Sequence, residues 1–163
     1  MVAVVGAIAA VAVAGWVGWS TLRAEPAPEV TYALVDGTRV TTQDLRGKVV
    51  LVNFWATSCV TCVKEMPGLV DTYQRFRERG FETVAVAMSY DRPDYVVNYV
   101  QTRKIPFKVA LDLQGRVATA FGDVAVTPTS YLIDRDGTIL KRWVGEPDFP
   151  QLHALIDKRL SGS

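Results

Sequence analysis

Cysteine and histidine are nearly missing from this chain: 163 residues hold two of the first and one of the second, His153. The two cysteines stand three positions apart in Cys59-Val60-Thr61-Cys62. A structural disulfide framework uses more cysteines at wider spacing, because short loops constrain the unfolded chain least. A zinc site takes about four ligands, and two thiols with a distant His153 do not supply them. Charge of one sign is also lacking. The formal net charge is +1, the Lys and Arg residues are scattered, and no basic stretch is interleaved with aromatics. That excludes the electrostatic footprint of a nucleic-acid binder. There is no internal repeat, and the length points to one domain.

The amino end lacks charge altogether. From Val2 to Trp19 every side chain is uncharged, dominated by Ala, Val, Ile, Gly and Trp. The run is about as long as a helix needs to cross a bilayer. Trp16 and Trp19 fall near one end, where amphipathic rings favour the interface. A cleaved signal peptide is the rival reading, since Ala12-Val13-Ala14 has the small-x-small form. No Lys or Arg precedes the run, however, and cleavage there would leave two tryptophans on the new terminus. An anchor over residues 1–22 is therefore the preferred expectation. Arg23 alone does not settle its orientation. Residues 23–30, with Pro26 and Pro28, read as an extended linker, residues 31–160 as the folded domain, and 161–163 as a frayed tail.

Within the domain, Thr31–Val35 and Thr38–Thr41 flank Asp36-Gly37, a hairpin-turn signal. Val49–Trp55 is a continuous, mostly apolar run rich in β-branched residues, which fits a central strand buried on both faces. After the cysteines, Leu69, Tyr73 and Phe76 recur at helical spacing with Val70 beside them, and Gly80 supplies a stop. Glu82–Met88 reads as a second buried strand. Pro93–Arg103 reads as a helix opened by Asp91 and Pro93, Phe107–Leu111 as a strand and Gln114–Phe121 as a short helix. Thr129–Ile133 and Thr138–Val144 alternate as antiparallel strands. Asp148–Leu160 closes the chain as a helix carrying Phe149, Leu152, Ile156 and Leu160 on one face. The order β-β-β-α-β-α-β-α-β-β-α implies an α/β fold with a mixed central sheet flanked by helices.

The chemistry follows from where the cysteines sit. A buried strand feeds a short turn, and Cys59 opens the next helix. Free N–H groups and the dipole at a helix amino end favour a thiolate over a thiol. That lowers the pKa of the first cysteine and makes it the nucleophile. Cys62 lies one turn on, so it can attack a mixed disulfide on Cys59 and release the partner. Redox exchange is the expectation, with no cofactor.

Asn53-Phe54-Trp55-Ala56-Thr57-Ser58-Cys59-Val60-Thr61-Cys62-Val63-Lys64-Glu65-Met66-Pro67 resembles the active-site segment of the TlpA/ResA-type thioredoxins, membrane-tethered extracytoplasmic disulfide reductases. The resemblance covers Leu34–Leu160 and includes Val126-Thr127-Pro128-Thr129. Pro128 lies 69 positions after Cys59, further than in plain thioredoxin, as this subgroup's extra αβ unit requires. The resemblance implies a thioredoxin-like fold. It implies a cis Pro128 beside the sulfurs, with the backbone at Thr127 left to pair with a substrate strand; an ordinary trans proline is the commoner state of such bonds. It implies that Glu65 handles protons near the cysteines, the alternative being a solvated helix glutamate. Asn53 stands where plain thioredoxins place a buried aspartate. Trp55 is expected as a core residue flanking the site, grouped with Thr127 and Pro128 on the substrate side. Pro67 is expected to bend the active-site helix. Two departures are plain: Ser58 stands where the family usually has tryptophan, and Val60-Thr61 replaces the more familiar proline or histidine.

The resemblance further implies disulfide-bearing protein substrates, as in cytochrome c or metal-site assembly, and a membrane electron donor of thiol–disulfide type. It implies a single-pass location in the cytoplasmic membrane with the domain facing the periplasm or extracytoplasmic space. The competing reading is Cu(I) delivery by the two thiolates with Met88 or His153.

Overall fold

A computed structural model describes residues 25–162; the expected anchor over 1–22, the start of the expected linker and Ser163 lie outside them. Strand β3 (Val49–Trp55) is buried at all seven positions, as a β-branched apolar run at the centre of a sheet must be. It pairs in parallel with β4 (Phe81–Ala87) and antiparallel with β6 (Thr129–Ile133). Outside these lie β5 (Lys108–Leu111), parallel to β4, and β7 (Ile139–Val144), antiparallel to β6. The sheet order is β5-β4-β3-β6-β7, so it is mixed and carries a thioredoxin-like α/β arrangement.

Strand alternation divides the core in two. Val49, Leu51 and Trp55 join one cluster with Cys62, Met66, Leu69 and Phe76 of α1 (Val60–Phe76) and Leu152 and Ile156 of α4 (Phe149–Ser161). Val50, Val52 and Phe54 join the other with Tyr32, Val117, Phe121 and Tyr131. In that cluster Phe54, Phe121 and Tyr131 meet edge-on or tilted, with ring centroids 5.0–6.0 Å apart, a geometry that the ring quadrupoles favour. Asn53 has the parity of Leu51 and Trp55, which turns a polar side chain toward α1.

Helix α2 (Pro93–Arg103) keeps the expected bounds. The short helix α3 (Arg116–Ala120) begins later than the expected Gln114, because Gly115 adopts φ +67° and Asp112 caps the turn by accepting the Val117 and Ala118 N–H groups at 3.2 and 2.8 Å. After α1 a 3₁₀ turn, Arg77–Arg79, ends at Gly80 with φ +97°, a conformation glycine adopts without strain. Pro67 sits inside α1, which continues through it. At Gly68 the helices α1 and α4 approach so closely that a Cβ would stand 2.5 Å from Phe149 Cζ.

Strands β1 (Thr31–Ala33) and β2 (Arg39–Thr41) pair antiparallel. Leu34 bridges to Ala110 and the Val35 N–H donates to the Val109 carbonyl at 2.9 Å. The outer edge of β5 is thus covered, which removes an unpaired ladder from the surface. Two expectations about the ends are corrected. The Glu25–Val30 part of the expected linker is docked: the Glu25 carbonyl accepts from Ile139 N–H, Ala27 N–H donates to Gly137, and the Thr42 hydroxyl donates to Pro28. At the other end Ser161 belongs to α4 rather than to a tail.

Candidate active site

Helix α1 starts where its amino cap does. Cys59 has extended backbone angles, φ −88° and ψ 107°, and its Sγ accepts the Cys62 N–H at 3.2 Å. A cysteine sulfur thus takes the place that serine or aspartate oxygen fills at most helix starts. Cys59 and Cys62 are joined as a disulfide, with Cα atoms 5.2 Å apart. Cys62 is fully buried, whereas Cys59 is half-buried and follows an exposed Ser58. Only the first sulfur is open to a partner. When the pair is reduced, the Cys62 N–H that meets Cys59 Sγ and the helix amino end behind it favour a thiolate over a thiol there.

The turn carrying Cys59 is held from the far side. The Asp91 carboxylate accepts the Thr57 N–H at 2.5 Å and the Thr57 hydroxyl at 2.6 Å, and also the Arg92 N–H at 3.0 Å. The sequence pattern predicts that Asp91 opens α2, but that helix is capped at Arg92, and the Asp91 side chain is spent on Thr57. One-dimensional patterns do not reveal this pairing, because the partners lie 34 positions apart.

The Thr127–Pro128 bond is cis, and the Thr127 carbonyl oxygen lies 3.6 Å from Cys59 Sγ. The Pro128 carbonyl accepts from Gly145 N–H at 2.8 Å, and Thr127 Oγ1 shares a 3.1 Å hydrogen bond with the Tyr90 hydroxyl. Trp55, grouped with the substrate-side residues, has no exposed surface. It packs in the core cluster beneath Cys62, and its ring lies 5.2 Å from that of Tyr99.

Glu65 is 1 % exposed rather than solvated. One carboxylate oxygen accepts from the Asn53 amide at 2.9 Å, and the same amide nitrogen donates to Ser130 Oγ at 2.9 Å. The other Glu65 oxygen and the Asn53 Oδ1 are buried acceptors with no partner among the described residues. Burial pushes the Glu65 carboxyl up to about 7, against the pull of the Asn53 hydrogen bond, and the negative charge of Glu146 adds to the rise. A carboxyl at this height gains and loses a proton near neutrality. Lys64 faces outward and pairs with Glu146 at 3.6 Å.

Neither additional copper donor reaches the cysteines. His153 hydrogen-bonds to Thr72 at 2.8 Å, ten residues along α1 from Cys62 and so about 15 Å away. Met88 belongs to the core cluster on the other face of the sheet.

Comparison with known proteins bears on the same residues. A family profile described as Redoxin matches residues 23–156. The chain is 35% identical over 133 residues to the thiol-disulfide oxidoreductase ResA of Bacillus anthracis, covering 81% of this chain and 75% of that one. It is 34% identical over 127 residues to ResA of Bacillus subtilis strain 168, covering 78% and 70%. Among solved structures, a thiol:disulfide interchange protein of the thioredoxin family from Chlorobium tepidum superposes with a TM-score of 0.77 at 30% identity, over 85% of this chain and 97% of that one.

Proposed function

Because the chain belongs to the Redoxin family, and within it to the ResA thiol–disulfide oxidoreductases, we propose that its Cys59/Cys62 pair works as a reductant of disulfides in partner proteins outside the cytoplasm. The single observation carrying this reading is the asymmetry of the pair: an accessible Cys59 Sγ at a helix amino end beside Thr127–Pro128, and a buried Cys62 behind it.

In the reducing direction the Cys59 thiolate attacks one sulfur of a substrate disulfide. That bond breaks, the departing substrate sulfur takes a proton, and a mixed disulfide joins Cys59 to the other substrate sulfur. Cys62 then loses its proton, Glu65 being the nearest acid–base group on the same side of α1. Its thiolate attacks Cys59 Sγ and releases the second substrate thiol, leaving the Cys59–Cys62 disulfide. Two electrons have passed to the substrate, and a membrane donor of thiol–disulfide type returns them.

The direction rests on the residues between the cysteines. A strong oxidant needs its reduced form stabilised by a thiolate of very low pKa. Val60 offers no donor, Thr61 only a hydroxyl, and the Lys64 charge is met by Glu146. The potential expected is nearer thioredoxin's, roughly −270 mV, than that of DsbA, roughly −120 mV. Equilibration with glutathione buffers measures it. A value at the oxidising end, with efficient oxidation of reduced unfolded protein, would overturn the direction.

The apolar run from Val2 to Trp19 supports tethering to the cytoplasmic membrane with the domain on the extracytoplasmic side, where cytochrome c or metal-site assembly proteins are fitting substrates. Among the described residues no helix is long and apolar enough to cross a membrane, so the tether rests on that run alone. Cell fractionation tests it: recovery of a soluble chain beginning after Ala14 would refute the anchor.

A further inference from the structure

A groove of about 600 Å³ opens beside the turn that leads into the reactive cysteine, lined at its near end by Thr57 and Ser58 and along its length by Tyr90, Tyr95, Tyr99 and Arg103. Nothing in the redox chemistry requires it. Tyr95 and Tyr90 are 54% and 59% exposed, and with Asn98 and Thr102 they offer apolar ring faces edged by hydrogen-bonding tips. Such a surface suits a polypeptide rather than a small apolar ligand. It is continuous with the exchange site, because Tyr90 is hydrogen-bonded to Thr127 and Ser58 precedes Cys59. A substrate chain joined to Cys59 Sγ and leaving on this side has the groove in its path.

The charges give the occupant a character. Asp91 is buried and taken up by Thr57 and the Arg92 N–H. Arg92 is held by both carboxylate oxygens of Asp94, at 3.1 and 2.7 Å. Arg103 lies 5.9 Å from the Tyr99 ring and has no carboxylate within ion-pair distance among the described residues; Asp71, across the adjoining α1–α2 groove, stays beyond it. The far end of the groove is therefore positive. Arg92, at the start of α2 that Asp91 ties to the Thr57 turn, and Arg103 are eleven residues apart, about 16 Å along the axis, the span of about five extended residues.

Resting on the reductase reading above, we propose that this groove seats the extended substrate segment flanking the attacked cysteine and selects an acidic side chain about five residues from it. The test uses the reduced full-length protein and two synthetic peptides, each closed by an internal disulfide and identical except for Glu or Lys five positions from the attacked cysteine. An exposed ion pair gives a preference of about three- to fivefold in kcat/KM for the Glu peptide, lost in 0.5 M salt. Arg103→Gln should bring the ratio to about one and Arg103→Glu should invert it, while Tyr95→Ala should raise KM for both peptides. Equal rates with the two peptides, or a preference untouched by either Arg103 substitution, would overturn the assignment. Reduction of neither peptide by the unaltered protein would instead sink the reductase reading, and the groove assignment with it.

Discussion

Replacing Glu65 by Gln should abolish a pH dependence of stability that the native chain carries. A carboxyl whose pKa rises on folding from its ordinary 4.5 to about 7 costs about 3 kcal/mol to ionise in place, at 1.36 kcal/mol for each tenfold change in proton affinity. For an acid shifted upward, the folded state binds more protons than the unfolded state between those two values. The stabilisation is fully present below about pH 4.5 and is lost as the pH rises through about 7. The glutamine side chain keeps an oxygen for the Asn53 amide and does not titrate. Urea unfolding of both oxidised proteins, followed by tryptophan fluorescence from pH 4.5 to 8.5, gives the two stability curves. Titration of His153 and of the surface carboxylates is common to both and cancels in the difference. The native protein should lose about 3 kcal/mol relative to Glu65→Gln across that range, with the midpoint of the change at about pH 5.8, halfway between the two values, and little change above about pH 7.5. Asn53→Ala, which removes the hydrogen bond that favours ionisation, should move the change to higher pH. Curves that stay parallel within about 0.5 kcal/mol, the ordinary scatter of surface substitutions, would refute the burial-driven shift and return Glu65 to an ordinary carboxylate.

Three further outcomes are expected. In the reduced protein at pH 7, iodoacetamide should label Cys59 at least tenfold faster than Cys62, measured by peptide mass spectrometry, because Cys62 is fully buried and Cys59 sits at the helix amino end; equal rates would contradict the assignment of the attacking thiol. Asp91→Ala should cost about 2–4 kcal/mol in urea unfolding, since two hydrogen bonds to Thr57 and one to Arg92 are lost from a buried carboxylate, and a loss under 0.5 kcal/mol would show that the Thr57 turn holds itself. Gly68→Ala should destabilise by about 1–3 kcal/mol by overpacking against the Phe149 ring. Adding Phe149→Leu should make the glycine substitution far less costly in a double-mutant cycle, and strict additivity would deny the contact.

The reactive pair is legible in the order of residues because its chemistry is local. A buried strand, a short turn and a cysteine at a helix start lie within a dozen residues, and the 3.6-residue helical period alone brings Cys62 beneath Cys59. The bounds of Val49–Trp55, Pro93–Arg103 and Thr129–Ile133 are readable for the same reason: β-branched runs, proline and turn residues act on their immediate neighbours. The surroundings of the neighbouring polar groups are not readable in that way. Asp91 resembles a helix cap in one dimension, and only the crossing from β4 to α2 brings it to Thr57, which offers two donors and outcompetes the helix start. Glu65 on an isolated helix would be solvated. Its carboxyl is pushed up instead, because strand parity turns Asn53 toward α1 and the packed sheet removes water from both. Residues 25–30 have the composition of a linker, yet they are fixed by backbone hydrogen bonds to Gly137 and Ile139, more than a hundred positions away. Short-range sterics and periodicity are written into the amino-acid sequence itself; desolvation and long-range pairing exist only once the chain has closed on itself, and here they decide the environment of Cys59, the height of the Glu65 pKa and the groove beside the disulfide.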